Sequence, residues 1–258
     1  MPPQKGLRVG LTIGVSNEFL CCCHTPKHSM QGSIVRIKAH KKWEGRTTCN
    51  FCGVSSLNSR HSNLWYAIKN DSTVTNEDAR SDLVICRFCA RCRWLDQPMF
   101  GGGLLYIIPE LTQAQLMKAL LIAFYLEAGI DLYSLECRTR NTEIMRCRRV
   151  ASRFINTLNQ VGRRRWIETN TNIALQDSIR LFLDMLSTQP NLNRSLLNAT
   201  KNLRFVPVLD HANQKAIIDL YSASSICDFD FCRWAVHFQT LISLLESGSK
   251  SVGTKPLW

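Results

Sequence analysis

Two C-x-x-C pairs, Cys49-Asn50-Phe51-Cys52 and Cys86-Arg87-Phe88-Cys89, stand 33 residues apart in a chain of 258. A two-residue spacer lets both thiolates of a pair reach one ion while backbone N–H groups bond the sulfurs, and two such knuckles complete a tetrahedron. Each pair holds an aromatic, and Gly53 follows the first. The residue types and spacing therefore predict a structural Zn2+ site made by Cys49, Cys52, Cys86 and Cys89. Four thiolates leave no coordination position for water, so metal-assisted hydrolysis is not expected there.

Cys92 extends the second pair to C-x-x-C-x-x-C, the opening of a bacterial ferredoxin run. The run lacks its fourth Cys and its Pro, and Arg91, Arg93 and Trp94 surround Cys92 instead, which favours zinc over an iron–sulfur cluster. Cys21, Cys22 and Cys23 with His24 and His28, and Cys227 with Cys232, are further sulfur-rich places. Adjacent cysteines point in divergent directions, and five residues at a helix start suit no knuckle, so these read as ordinary buried thiols. No G-x-x-x-x-G-K-[ST] loop and no G-x-S-x-G elbow occurs in the chain.

The elements that must position the cysteines are partly legible. Leu7, Val9, Leu11 and Ile13 alternate with polar or small residues as in a half-buried strand, and Ile34, Val35 and Ile37 among basic residues suit a short amphipathic helix. From Thr47 to Trp94 the chain is polar and punctuated by cysteine, so metal rather than a large core is expected to organise it. Gly101-Gly102-Gly103 marks a turn before a short strand, Leu104 to Ile108, which Pro109 stops. Thr112 and Gln115 form a capping box for a helix that Gly129 closes. A helix over about Leu132–Leu158 follows. Leu175, Ile179, Phe182, Leu183 and Leu186, then Leu192, Leu196, Leu197 and Leu203, recur at helical spacing. Phe205 to Val208 reads as extended, and helices are expected around Asn213–Tyr221 and Phe229–Leu245, the latter capped by Asp228. The fold class is α+β, with domains at 1–130 (mixed zinc finger), 131–246 (helical) and 247–258 (flexible tail).

Hydrophobic residues make up 45% and charged residues 20% of the chain, a composition that folds rather than one that stays disordered. The formal charge is +12, which points to an anionic partner: nucleic acid, membrane surface or acidic protein. Most of it comes from one stretch. Arg138, Arg140, Arg146, Arg148, Arg149, Arg153, Arg163, Arg164 and Arg165 face a single acid, Glu143. Lys118 and Glu127 interrupt the most apolar run, Leu116 to Ile130, leaving it short of a membrane span. The start of the chain carries no signal-peptide pattern, so a soluble protein in a reducing compartment is expected.

Three blocks carry a family resemblance. Thr48 to Gly53, Leu83 to Cys92 and Gly102-Gly103-Leu104-Leu105-Tyr106-Ile107-Ile108-Pro109-Glu110-Leu111-Thr112-Gln113-Ala114 resemble the IcmJ (DotN) family of type IVB secretion and related conjugative transfer systems. The similarity is close from about Thr47 to Leu120, and looser at Leu132 to Arg138 and at Leu203 to Trp234. It implies an HNH-like zinc finger bound by Cys49, Cys52, Cys86 and Cys89 in a small mixed fold. It further implies a non-enzymatic adaptor of the coupling complex that binds the C-terminal tail of the coupling ATPase and other subunits. Such a protein works in the bacterial cytoplasm, at the inner face of the inner membrane and peripheral to it through its partners.

A nuclease of the HNH type needs a His as general base and further ligands for a catalytic metal. Relatives of the finger show a His-His pair between the knuckles. Here Ala67 and Ile68 take those places, Ala90 stands where a His would follow the last Cys, and His61 is the only histidine between the knuckles. The chain is therefore read as no enzyme. The rival reading is a nucleic-acid-binding zinc protein that uses the Arg138–Arg165 segment for phosphates, with Phe154 and Trp166 available to stack on bases.

Overall fold

The computed structural model describes residues 34–36, 47–56, 65–68, 83–96, 102–128, 141–169, 174–188, 201–221 and 230–248. The strand expected at Leu7–Ile13, the Cys21–Cys23 run, His61, Arg138, Arg140, Cys227 and the residues beyond Gly248 lie outside this set. So does the boundary expected after residue 130.

The N-terminal strands are short and antiparallel. β1 (Ile34–Arg36), β4 (Trp65–Ile68) and β5 (Leu83–Cys86) form one sheet in the order β1-β4-β5, with Trp65 opposite Cys86 and Tyr66 opposite Ile85. Ile34 to Arg36 is thus a strand and not the helix its apolar–basic pattern suggests. Three residues are too few to distinguish the two periods, and pairing with β4 decides the matter. β2 (Thr47–Thr48) and β3 (Ser55–Ser56) form a small hairpin, and β5 runs straight into α1 (Arg87–Arg93).

The rest is helical around one further ribbon. β6 (Gly103–Ile107) pairs antiparallel with β7 (Leu203–Pro207), a contact that joins residues about a hundred positions apart. Gly103 is required there, because a Cβ would run into the Phe205 ring. The Leu105–Phe205 pair directs its backbone groups out of the ribbon, and buried side chains meet them on both edges. Leu105 N–H donates to Ser178 Oγ at 3.0 Å, while Phe205 N–H donates to Gln113 Oε1 at 2.7 Å and its carbonyl accepts from Gln113 Nε2 at 2.9 Å. Three of the four outward-facing backbone groups of this pair are thereby bonded to buried side chains.

α2 (Gln113–Glu127) begins with the expected capping box, Thr112 with Gln115, and is buried on nearly every side from Leu116 to Leu126. That makes it the central helix of the core rather than an amphipathic surface helix. α3 (Asn141–Thr169) runs eleven residues past the expected end, because Val161, Arg165 and Trp166 keep facing the core. Arg148 donates to the Glu127 carbonyl at 3.3 Å, where a cation suits the C-terminal end of α2. A 3-10 turn (Leu175–Asp177) leads into α4 (Ser178–Thr188). Leu203, grouped by spacing with a helix, belongs to β7.

α5 (His211–Tyr221) and α6 (Phe231–Gly248) are each capped by an aspartate immediately before the helix. Asn213 N–H donates to Asp210 Oδ1 at 2.7 Å, and Arg233 N–H to Asp230 Oδ1 at 2.8 Å. Asp230, not Asp228, is the cap. α6 lies along α3: Cys232 sits beside Glu143, Phe154 against Phe238 at 5.5 Å between ring centroids, and Arg153 beside Glu246. Glu143 lies by Cys232 and Phe154 by Phe238, so the two helices run in the same direction. No helix among the described residues is long and apolar enough to cross a membrane.

The block Ile108-Pro109-Glu110 is locked by an internal ion pair. Arg165, 2% exposed, donates through both terminal nitrogens to Glu110, at 2.6 and 2.8 Å, and one of them also reaches the Ile107 carbonyl at 3.2 Å. Removing one partner of such a pair strands a buried charge, so Glu110→Ala is expected to cost about 3–5 kcal/mol in urea denaturation. Glu110→Leu with Arg165→Met should recover most of that loss. A single substitution costing no more than an exposed one would show that the pair is dispensable.

Candidate metal centre

Each knuckle is built by its own element. In the first, the chain leaves β2, turns through Cys49 to Gly53 and returns in β3. Cys49 N–H donates to the Val54 carbonyl at 2.8 Å and Gly53 N–H to the Cys49 carbonyl at 3.0 Å. Gly53 takes a left-handed φ of 72°, the conformation for which the sequence places glycine after Cys52. In the second, Cys86 ends β5 and Cys89 lies in the first turn of α1.

Asn50 joins the two. Its backbone N–H donates to the Val84 carbonyl at 2.9 Å and its side-chain oxygen accepts from Val84 N–H at 2.7 Å, so the first knuckle docks on β5 as an added strand residue would. Cys86 N–H points at Cys49 Sγ, 3.4 Å away. That docking brings the four sulfurs together. Cys49, Cys52, Cys86 and Cys89 lie within 4.8 Å of one another, all buried, and the Cys52–Cys86 sulfur separation is 3.7 Å. Four thiolates around Zn2+ at about 2.3 Å have tetrahedral edges of about 3.8 Å. The donor set and its spacing fit such an ion.

The electrostatics of three of the sulfurs bear on the same point. Hydrogen bonds from Cys52, Cys86 and Cys89 hold the Cys49 thiol far below its ordinary value, whereas burial pushes Cys86 and Cys89 well above theirs. A dication among the sulfurs would offset that burial cost and stabilise the thiolate forms.

Cys92 stays apart. It is buried in α1, donates to the Phe88 carbonyl one turn back at 3.4 Å, and burial pushes its thiol well up. Cys232 is exposed, contrary to its reading as a buried thiol, because the first turn of α6 turns that position away from the core. The surroundings of the centre also differ from expectation. Trp65, Ile85, Phe88, Trp94 and Leu95 are buried in the same apolar cluster as the four cysteines and α2, so this stretch has a core as well as a metal-ligand set. Tyr221 on α5, stacked on Tyr125 at 4.9 Å, lies near the sulfurs, and burial pushes its phenol well up. No spacing rule would have found it, since only the fold brings α5 there.

The arginine segment divides into two populations. Arg146, Arg149, Arg153, Arg163 and Arg164 are exposed on one side of α3, Arg148 is half-buried, and Arg165 is the internal partner of Glu110. Arg153 meets Glu246 at 3.5 Å and Arg164 meets Glu168 at 3.9 Å, both in exposed pairs. Phe154 and Trp166, expected to be available for stacking, are 0% and 1% exposed, because they occupy the opposite, core-facing side of the helix. Ala67 and Ile68 end β4, and Ala90 is buried in α1, so the positions compared with nuclease histidines carry apolar side chains.

No family model matches the chain. It is similar to the type 4 apparatus protein DotN of Legionella pneumophila, with 37% identity over 75 residues. The similarity spans 28% of this chain and about a third, 32%, of that relative.

Metal binding and folding should be one equilibrium here. Cys49→Ser or Cys86→Ser is expected to abolish binding of a metal ion, measured by atomic absorption, and to remove near-UV circular dichroism from the buried Trp65 and Trp94. Cys92→Ser should keep both. Native near-UV dichroism in the Cys49→Ser protein would show that the cluster is incidental to folding.

Proposed function

We propose that the chain is a zinc-stabilised, non-catalytic adaptor of a type IV secretion or plasmid conjugation coupling complex, and that it binds the C-terminal tail of the coupling ATPase. The observation that carries the reading is the buried four-cysteine cluster, joined to the local similarity to a type 4 apparatus protein. Cys49, Cys52, Cys86 and Cys89 would hold Zn2+, whose contribution is to clamp the β2–β3 knuckle onto β5 and α1. An ion held by all four leaves no site for a reacting water, and the apolar Ala67, Ile68 and Ala90 offer no general base. Both features support a structural role for the metal. By the same reading the protein works at the cytoplasmic face of the inner membrane, held there by its partners.

The exposed arginines of α3 are the surface we assign to the tail. From Arg146 to Arg164 they span about 27 Å of helix, long enough to follow an extended or helical acidic segment. The row lacks exposed rings, and two of its members already pair with carboxylates, so it suits an acidic peptide better than bases.

The test is a pull-down and calorimetric titration of zinc-loaded protein with the coupling ATPase tail from the same genome, with single-stranded and duplex DNA as competitors. Binding that DNA does not displace, weakened about tenfold by Arg149→Glu with Arg153→Glu, is the expected result. Failure to bind the tail would overturn the adaptor reading. Tail binding unaffected by the double variant would move the contact off α3.

A further inference from the structure

Trp65 is a buried donor without an acceptor. Its side chain is 2% exposed, and among the described residues nothing accepts its indole Nε1–H. A buried N–H left unpaired costs free energy, and each such group in a folded chain calls for an explanation.

The sheet register shows what lies beside it. Trp65 at the start of β4 stands opposite Cys86 at the end of β5, and residues opposite one another in an antiparallel pair carry their side chains on the same face. The pair is also of the closer kind. Val84 and Cys86 turn their backbone N–H groups away from β4, to the Asn50 side chain and to Cys49 Sγ. Trp65 and Cys86 therefore form a non-hydrogen-bonded pair, in which Cα atoms approach to about 4.5 Å rather than about 5.5 Å. Both side chains belong to the same buried cluster.

Cys86 has the opposite deficit. It is fully buried and stands at the N-cap of α1, yet its side chain accepts no bond from the first N–H groups of that helix. Its sulfur meets that of Cys52 at 3.7 Å, and a thiol is a weak donor. Cys49 differs, because its sulfur receives the Cys86 N–H. A buried thiolate that ligates a metal needs hydrogen-bond donors around it as well as the cation. Donor and acceptor thus stand side by side on one face, each lacking what the other supplies.

We propose that the Trp65 indole N–H donates to the Cys86 thiolate when the four cysteines hold an ion, which makes Trp65 a positioning residue of the metal centre. The inference rests on the metal centre and is independent of the adaptor reading. It ties β4, which supplies no ligand, to the site. Loading the cysteines satisfies the buried indole, so the ion stabilises the three-stranded sheet as well as the two knuckles.

The test uses the nitrogen-labelled full chain loaded with a spin-active cadmium isotope in place of zinc. The chain has six tryptophans, and Trp65→Phe identifies the indole resonance that belongs to this one. The expected result is a scalar coupling from the metal to the Trp65 Hε1 proton, carried through the sulfur, together with slow exchange of that proton with water. Trp65→Phe should lower cadmium affinity about tenfold in competition with a chelator. It should also move the sulfur-to-metal charge-transfer band of the Co2+ form to longer wavelength, because a thiolate that loses its donor gives up electron density more easily. Trp94→Phe removes an equally buried ring and should leave that band in place. A loaded protein whose Trp65 Hε1 shows no coupling to the metal overturns the proposal, as do couplings confined to the Phe88 and Cys89 amides or an unmoved band in Trp65→Phe. Should Trp65→Phe fail to fold, the coupling in the parent decides alone. Failure of the parent to take up cadmium overturns the metal centre itself and this inference with it.

Discussion

Four sulfurs in one buried pocket cannot all be thiolates unless a cation sits among them, and that electrostatic constraint governs the N-terminal half of the molecule. The strands that deliver the sulfurs are only two to four residues long, too short to hold a sheet on their own pairing. What keeps them in register is the docking of Asn50 on Val84 and the convergence of Cys49 on the Cys86 amide. A metal bound there would convert two weak local contacts into a clamp. The helix that follows, α1, then inherits a fixed starting point, and its Phe88 and Cys92 enter the common core.

A clamp there would matter beyond its own strands because α2 is buried on nearly every side. Apart from the exposed Lys118, its residues from Leu116 to Leu126 are covered by the finger, by α3, by α5 and by the β6–β7 ribbon. Arg91 extends this continuity: it donates to the Trp94 and Leu95 carbonyls at 3.3 and 2.6 Å and lies over the Phe205 ring of β7. The ribbon in turn depends on Gln113 and Ser178 for its edges and on the Arg165–Glu110 pair for its exit. A short chain of buried polar contacts thus connects the cysteine cluster to α3, whose outer side carries the arginine row.

The legibility of these parts in the sequence follows the range of the interaction that makes them. The knuckles, the Thr112–Gln115 box, the β6 strand and the extended Phe205 segment are set by neighbours within a few residues, and all could be read directly. Ile34 to Arg36 could not, because a partner thirty residues away selects strand over helix. Asp230 carries a cap signal that Asp228 obscured, and Asp210 one that the expected start at Asn213 passed over; a rule placing the cap directly before the first helical residue would have chosen both. Arg165 is the instructive case. In the sequence it is one of nine similar arginines, and only the packing of Glu110 against α3 makes it internal. The same blindness to helical facing placed Phe154 and Trp166 outside, although their spacing with Ile144, Cys147, Ala151, Leu158 and Val161 marks the apolar side of one long helix.

Charge alone therefore undersells the surface. The formal +12 suggests one undifferentiated polyanion partner, yet the fold sorts basic side chains into three environments with different chemistry. Arg165 and Arg91 are buried and serve backbone carbonyls or a carboxylate. The α3 row is solvated, extended and partly matched by Glu168 and Glu246, which suits a linear acidic chain held by many weak, salt-sensitive contacts. Lys118 on α2 stands over the half-buried indole of Trp234, a cation held against a ring rather than a carboxylate. One net charge thus covers cations held by carbonyls, by carboxylates and by an aromatic ring, and only the fold separates them.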